Sequence, residues 1–335
     1  MLECMHHLAS GRLAQTDWIT YRTINQRNCS MHATTFPALY YRGLQMRPAY
    51  MGELRDATDL LNDPAALRAR MAEDGYLFLP GLLERDEVLD ARRSVLERLA
   101  EQEMLDLTHP LMEGVLKPDV RLAFRPDLAT KNPVVEHLLY HGAMMRFFDH
   151  FLGEPATHFD FTWLRAKSGG ADTATTPHCD IVFMNRGAKE LYTAWTPLGD
   201  IPYEMGGLMV LEGSHTRADV LGEYWQFDVD TYCVNGEKED ESLKWSWSKT
   251  GGSFSKDAIG VREQMGGRWL TSEYKMGDVL IFCMQLLHGS LDNQTNRVRL
   301  STDSRYQRAS EPLDPRWIGE NPIAHGEAAR EGLIC

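Results

Sequence analysis

Cysteine is scarce and scattered in this chain. There are six in 335 residues, at Cys4, Cys29, Cys179, Cys233, Cys283 and Cys335, and no C-x-x-C pair. That spacing argues against a structural zinc site, and a chain of this length has core enough to do without a disulfide framework. The reading is a reducing, cytoplasmic setting. Positive charge is in deficit: 35 Lys and Arg against 48 Asp and Glu, a formal net charge of −13. This argues against non-specific binding to nucleic acid or to an anionic membrane. No apolar run approaches the roughly 18 residues of a membrane helix. The opening "MLECMHHLASGRL" lacks the basic stretch and long apolar segment of a secretory signal. Internal repeats and low-complexity segments are also missing. What remains, 43% hydrophobic and 25% charged, is a soluble globular composition with a sizeable core.

The pattern divides the chain. Residues 1–55 carry little periodicity and read as an N-terminal extension without fixed order. A single domain is expected over 56–310, followed by a C-terminal tail, 311–335. Its first part, 56–155, reads as a helical layer. In "NDPAALRARMAEDG", Asp63 suits an N-cap, Pro64 the first helical position and Gly75 the stop. "YLFLPG" is a strand halted by Pro-Gly. "ERDEVLDARRSVLERLAEQ" places Val88, Leu89, Val95, Leu96 and Leu99 at helical spacing. "NPVVEHLLYHGAMMRFFDHFLG" reads as two helices broken at Gly142 and ended at Gly153. From 156 to 310 the segments are short and β-rich: "THFDFTWLRAK", "HCDIVFM", "ELYTAWTPL", "GGLMVLEG", "DVLIFCM" and "RVRLSTDSRYQ". Turn residues separate them, and no helix intervenes, so an antiparallel sandwich or barrel is expected. A long insertion at about 217–272 holds Trp225, Trp245 and Trp247. Its aromatic content favours a lid over a disordered loop.

The chemistry starts at "TTPHCDIVF". In a strand, residues i and i+2 share a face. His178 and Asp180 therefore project together, and Cys179 points the other way into packing. A histidine and a carboxylate on one face are two arms of a facial metal site, and a second histidine would complete the 2-His-1-carboxylate set of non-heme iron oxygenases. H-x-D alone is a weak signal; His158 and Asp160 repeat it in "HFD", and a strand-edge histidine is the ordinary explanation. The second segment, "GDVLIFCMQLLHGSLDNQTNRVRLSTDSRYQ", decides. His288 follows at the far end of its apolar strand, and Arg299 stands eleven positions on. Both can face one interior. A buried Arg needs an anion, either a protein carboxylate or that of a co-substrate.

With these motifs in order, the chain resembles the phytanoyl-CoA dioxygenase family of Fe(II)/2-oxoglutarate-dependent oxygenases over roughly 70–310. "DGYLFLPGLLERDEV", "HCD", "AWTPLGD", "GGLMVLEGSHT" and "HGSLDN" carry the likeness, with Glu212 where the family has Pro. The resemblance implies a mainly β fold with flanking helices, a double-stranded β-helix (jelly-roll, cupin-like) barrel behind an N-terminal helical layer. It implies that His178, Asp180 and His288 bind Fe(II). Arg299 would pair with the distal carboxylate of 2-oxoglutarate, Ser290 would hydrogen-bond the same group, and Trp195 would line that pocket. O2 and 2-oxoglutarate would be consumed, giving succinate and CO2, while an aliphatic C–H of a small organic substrate is oxidised. Hydroxylation is the default. Desaturation, epoxidation or ring closure would need only a different substrate placement, and Asp180 argues against halogenation. His158 is assigned to packing or to bracing a ligand from behind, His215 to turn hydrogen bonding and Asn293 to shaping the loop after His288. The competing readings are an acyl-CoA α-hydroxylase, a redox-neutral cupin-like metal enzyme, and a silent small-molecule-binding barrel. The acidic chain and the mixed charges of the insertion favour a free small molecule over a CoA thioester.

Overall fold

The computed structural model describes residues 36–233 and 250–333. Trp245 and Trp247 lie outside the described residues, as does the chain before residue 36. In chain order the elements are a hairpin of strands β1 (Tyr40–Tyr41) and β2 (Leu44–Gln45), strand β3 (Met51–Glu53), helix α1 (Pro64–Asp74), strand β4 (Tyr76–Leu79) and helices α2 (Arg85–Glu101), α3 (Pro133–Tyr140) and α4 (Gly142–Leu152). There follow strands β5 (Ala156–His158), β6 (Trp163–Lys167), β7 (Tyr192–Pro197), β8 (Leu208–Leu211), β9 (Thr231–Cys233), β10 (Trp269–Thr271), β11 (Val279–Cys283), β12 (His288–Ser290), β13 (Arg299–Arg308) and β14 (Glu331–Leu333), with helices α5 (Ala218–Leu221) before β9 and α6 (Ala258–Met265) before β10, where the sequence pattern predicted no helix.

The helices start and stop where local chemistry requires. The Asp63 carboxylate accepts from the N–H groups of Ala65 and Ala66, Pro64 takes the first position, and Gly75 closes α1 with φ 76°. Asn132 caps α3, and Gly153 ends α4 at φ 78°. Helix α2 buries Val88, Ala91, Val95, Leu96 and Leu99. Leu89 is only half-buried, and Ala91 completes the stripe instead.

The fold is mainly β with flanking helices. One open sheet runs β4-β11-β7-β13-β5, with β6 also pairing β13; a second runs β12-β8-β10-β3. Period-two alternation sorts the side chains. On β4 and β11, Leu77, Leu79, Val279 and Ile281 meet the helical layer, while Tyr76, Phe78, Leu280 and Phe282 face the second sheet with Trp195. Leu208, Val210 and Leu270 of the second sheet pack against them. Its outer residues, Met209, Leu211 and Trp269, form a third cluster with Tyr224, Phe227, Val261 and Trp317.

The structure redraws several sequence boundaries. Part of the 1–55 extension is built in: β3 pairs in parallel with β10, and Leu39, Tyr41, Met46 and Met51 are buried. "THFDFTWLRAK" is two strands rather than one, because the N–H groups of Asp160 and Phe161 turn aside to Trp317 O. "HCDIVFM" is not a strand: Cys179 is extended, but Asp180–Val182 forms a 3-10 turn. His288 does not sit at the end of β11. The chain crosses to the other sheet, and His288 opens β12. Within the 311–335 tail, Asp314, Arg316 and Trp317 are packed in at 0–1% exposure. The buried Arg316 guanidinium holds Asp314, Asp228 and Asp230, and so ties the tail to the insertion.

Candidate active site

His178, Asp180 and His288 meet, with their ligand atoms all within 4.8 Å of one another. Two elements bring them together. The antiparallel bridge His178↔His288 exchanges both backbone hydrogen bonds at 3.0 Å, and the 3-10 turn swings Asp180 back beneath them. The Nε2 atoms of His178 and His288 lie 3.6 and 3.7 Å from Asp180 Oδ1. Each ring donates its Nδ1–H to a carbonyl, His178 to Thr176 O at 2.8 Å and His288 to Leu286 O at 3.0 Å. This fixes the tautomer and leaves each Nε2 lone pair for a metal. Asp180 Oδ2 accepts from Thr193 Oγ1 at 2.6 Å and Arg305 Nη2 at 2.8 Å, so Oδ1 is the oxygen left for the centre. Burial, and then the neighbouring His288, push His178 down to about 3. Burial also lowers His288. Asp180 is held below the usual carboxylate range: burial would raise it, but Arg305 and the two imidazoles outweigh that. Two neutral imidazoles and an ionised carboxylate form a donor set suited to a divalent transition metal.

Cys179 is fully buried on the opposite side, with Sγ donating to Gln285 O at 3.2 Å and its N–H to Tyr224 Oη at 3.3 Å. The described ends of the insertion close on this segment. Phe254 N donates to Pro177 O at 2.9 Å, and the Ser253 and Thr176 hydroxyls are 2.6 Å apart.

Gly289, between His288 and Ser290, shows how tightly the segments approach. A Cβ there would lie 2.7 Å from Thr175 O. Gly289→Ala must spread the bridge that carries both histidines. Iron affinity is expected to fall about 10- to 100-fold, the scale of a disturbed outer partner. Chelator competition on the folded protein checks this; unchanged affinity would show that the bridge can shift at no cost to the site.

Arg299 is 1% exposed, and its Nε and Nη1 have no hydrogen-bond partner. Its guanidinium carbon is 5.9 Å from the Trp195 ring centroid. Burial and the Arg165 charge lower it to about 10. Ser290 accepts from Thr175 N at 2.9 Å and from Lys167 Nζ at 2.7 Å, and Lys167 is the cross-strand partner of Arg299. Burial, with Arg299 next, drives Lys167 well below its ordinary value. An unpaired buried guanidinium beside a buried lysine and a hydroxyl suits a carboxylate ligand.

His158 and His215 are not part of the triad. His158 stacks on Tyr140 at 4.0 Å, and His215 bonds Ala72 O at 3.2 Å. Asn293 braces its loop by donating to Lys167 O and Arg297 O. Glu212, the departure from the family pattern, forms a two-point pair with Arg268 at 3.1 Å. The sequence reading missed Lys167, Thr193 and Arg305. A signal existed for the two cations. Arg165 and Lys167 alternate in "WLRAK", and Arg299 and Arg305 are an even number apart in "RLSTDSR", so each pair shares a strand face.

Two open sheets carrying a facial His-Asp-His set and a buried guanidinium define a non-heme metal oxygenase of the 2-oxoglutarate type. The phytanoyl-CoA dioxygenase family model matches residues 71–301, and the chain belongs to that family. It is 30% identical over 269 residues to a 1-deoxypentalenic acid 11-beta-hydroxylase of Streptomyces exfoliatus, covering 76% of this chain and 85% of the relative. The corresponding enzyme of Streptomyces arenae is 28% identical over 271 residues, with 76% and 85% covered. Two solved structures share the fold. The non-heme alpha ketoglutarate dependent carbocyclase SnoK from nogalamycin biosynthesis has a TM-score of 0.54 at 19% identity, covering 78% of this chain and 90% of that one. Apo EctD from S. alaskensis scores 0.51 at 21% identity, covering 89% and 98%. The protein is an Fe(II)/2-oxoglutarate-dependent oxygenase that uses O2.

Proposed function

We propose that the protein hydroxylates an aliphatic C–H of a free small organic molecule, with Fe(II) held by His178, Asp180 and His288. The observation that carries this is the convergence of two Nε2 atoms and Asp180 Oδ1 around one point. Arg299, with Ser290 and Trp195, receives the distal carboxylate of 2-oxoglutarate; the unpartnered Nε and Nη1 of Arg299 support that role. Bound iron and 2-oxoglutarate supply oxidative decarboxylation by O2, yielding succinate and CO2 and coupled to C–H oxidation. The chain's own residues orient and exclude. Thr176 and Leu286 carbonyls hold the imidazoles, Thr193 and Arg305 hold Asp180 Oδ2, and the aromatic walls keep water from the site.

The Streptomyces relatives, 11-beta-hydroxylases by name, support hydroxylation and a free acid or similar metabolite as substrate. The two sheets are read as the halves of a jelly-roll barrel, supported by their packing through Trp195, Leu208 and Val210. The insertion is read as a cover over the site, supported by the contacts of Ser253 and Phe254 with the ligand segment. No helix among the described residues is long and apolar enough to cross a membrane. The free thiols of Cys179 and Cys283 support a reducing, cytoplasmic setting. Anaerobic titration of the apoprotein with Fe(II) and then 2-oxoglutarate tests the reading. A visible metal-to-ligand charge-transfer band is expected, and it should vanish in Asp180→Ala. Folded, iron-loaded protein without the band would point to redox-neutral metal chemistry or a silent binding fold.

A further inference from the structure

Against His178 and Asp180 lies a cavity of about 240 Å³, with apolar walls from Phe124, Trp163, Phe183 and Met184, cations from Arg165 and Arg305, and a rim that includes Ser253 and His325. Holding Asp180 occupies only part of the Arg305 guanidinium, and Arg165 has no part in the metal or 2-oxoglutarate sites described above. Arg305 is 1% exposed and spends one N–H on Asp180. Its guanidinium lies 4.1 Å from the Trp163 ring centroid, and its Nε and Nη1 have no partner. Arg165 gives Nε to Asp303 Oδ2 at 2.8 Å, and its side chain stays 24% exposed at the cavity.

Arg305 keeps two guanidinium N–H positions without a partner although the residue is buried, and an anionic group at this wall would satisfy them where an apolar one would not.

We propose that the substrate is an anion, an apolar molecule bearing a carboxylate, gripped by Arg165 and by the unpaired N–H groups of Arg305. This rests on the oxygenase reading above and names its substrate class. Even spacing on β6 and β13 sets the two arginines in one wall, with the aromatic rings around them. The charged end therefore binds at that wall, while the apolar body fills the cavity against Phe183 and Met184.

The test uses the iron-loaded protein with cyclohexane-, decalin- and adamantanecarboxylic acids and their methyl esters. Equilibrium dialysis measures binding, the anaerobic charge-transfer band reports on the centre, and succinate formation in air reports turnover. At least one acid is expected to bind, perturb the band and speed succinate formation where its ester does not. Arg165→Gln should weaken that acid about 10- to 100-fold with the band intact, and Arg165→Lys should restore most of the affinity. The proposal is overturned if no acid is preferred to its ester, if the acids act by displacing 2-oxoglutarate, or if Arg165→Gln binds them as well as the wild type. A missing band in the wild type would tell against the oxygenase reading instead, and dialysis would still decide between acid and ester.

Discussion

His178→Ala is expected to lose its iron and to fall by more than about 100-fold in 2-oxoglutarate-dependent succinate formation, while the neighbouring Cys179→Ala keeps most of both. Loss of an outer partner of a metal ligand typically costs 10- to 100-fold, and loss of the ligand itself costs more. With His178 gone, two protein donors remain, and the bridge to β12 no longer presents a nitrogen there. Cys179 is one residue away but sits on the other face. Cys179 belongs to the same buried cluster as Tyr224, Met284 and Leu287, and its sulfur donates to Gln285 O. Trimming it leaves a hole about the size of a methyl group, about 1 kcal/mol of stability, and leaves the donor set whole. Iron content after desalting and succinate formation in air are the two readouts. A folded Cys179→Ala protein without activity would show that the face assignment is wrong. An iron-replete, active His178→Ala protein would remove His178 from the donor set.

That contrast was legible in the sequence because alternation along an extended segment is a local property. It held across His178 and Cys179 even though the chain leaves the extended form at Asp180. The helices were legible for the same reason, through Asp63, Asn132, Gly75 and Gly153 at their ends. Long-range pairing was harder to read. Nothing local says that β3 joins β10, or that Trp317 returns to take the N–H groups of Asp160 and Phe161. The extension and the tail therefore read as appendages. Lys167 and Arg305 were missed for a related reason. A charged residue in a β-rich segment ordinarily faces solvent, and only the pairing of β6 and β7 on either side of β13 reveals that this face is buried.

Arg299→Ala is expected to weaken 2-oxoglutarate by about 30- to 5,000-fold, the range for losing one partner of a buried charge pair worth 2–5 kcal/mol. The free protein should suffer far less. In it Arg299 is a buried cation with no direct anionic partner, beside Lys167, and burial with the Arg165 charge lowers it to about 10 in spite of Asp303. Folding pulls this group below its unfolded value, so its positive charge opposes folding at neutral pH, and the opposition lifts only as the pH rises toward that value. Removing the side chain relieves that opposition while opening a cavity, and the two effects run against each other. Binding a carboxylate relieves it as well. Hence 2-oxoglutarate should raise the Tm of the iron-loaded wild type and leave that of Arg299→Ala nearly unmoved. Arg299→Lys should fall between, since an ammonium restores the charge without the two-point grip of a guanidinium. Titration of the charge-transfer band gives the affinities and a thermal melt gives the shift. Unchanged affinity in Arg299→Ala would move the co-substrate to other cations, with Lys167, one hydrogen bond from Ser290, the first to replace.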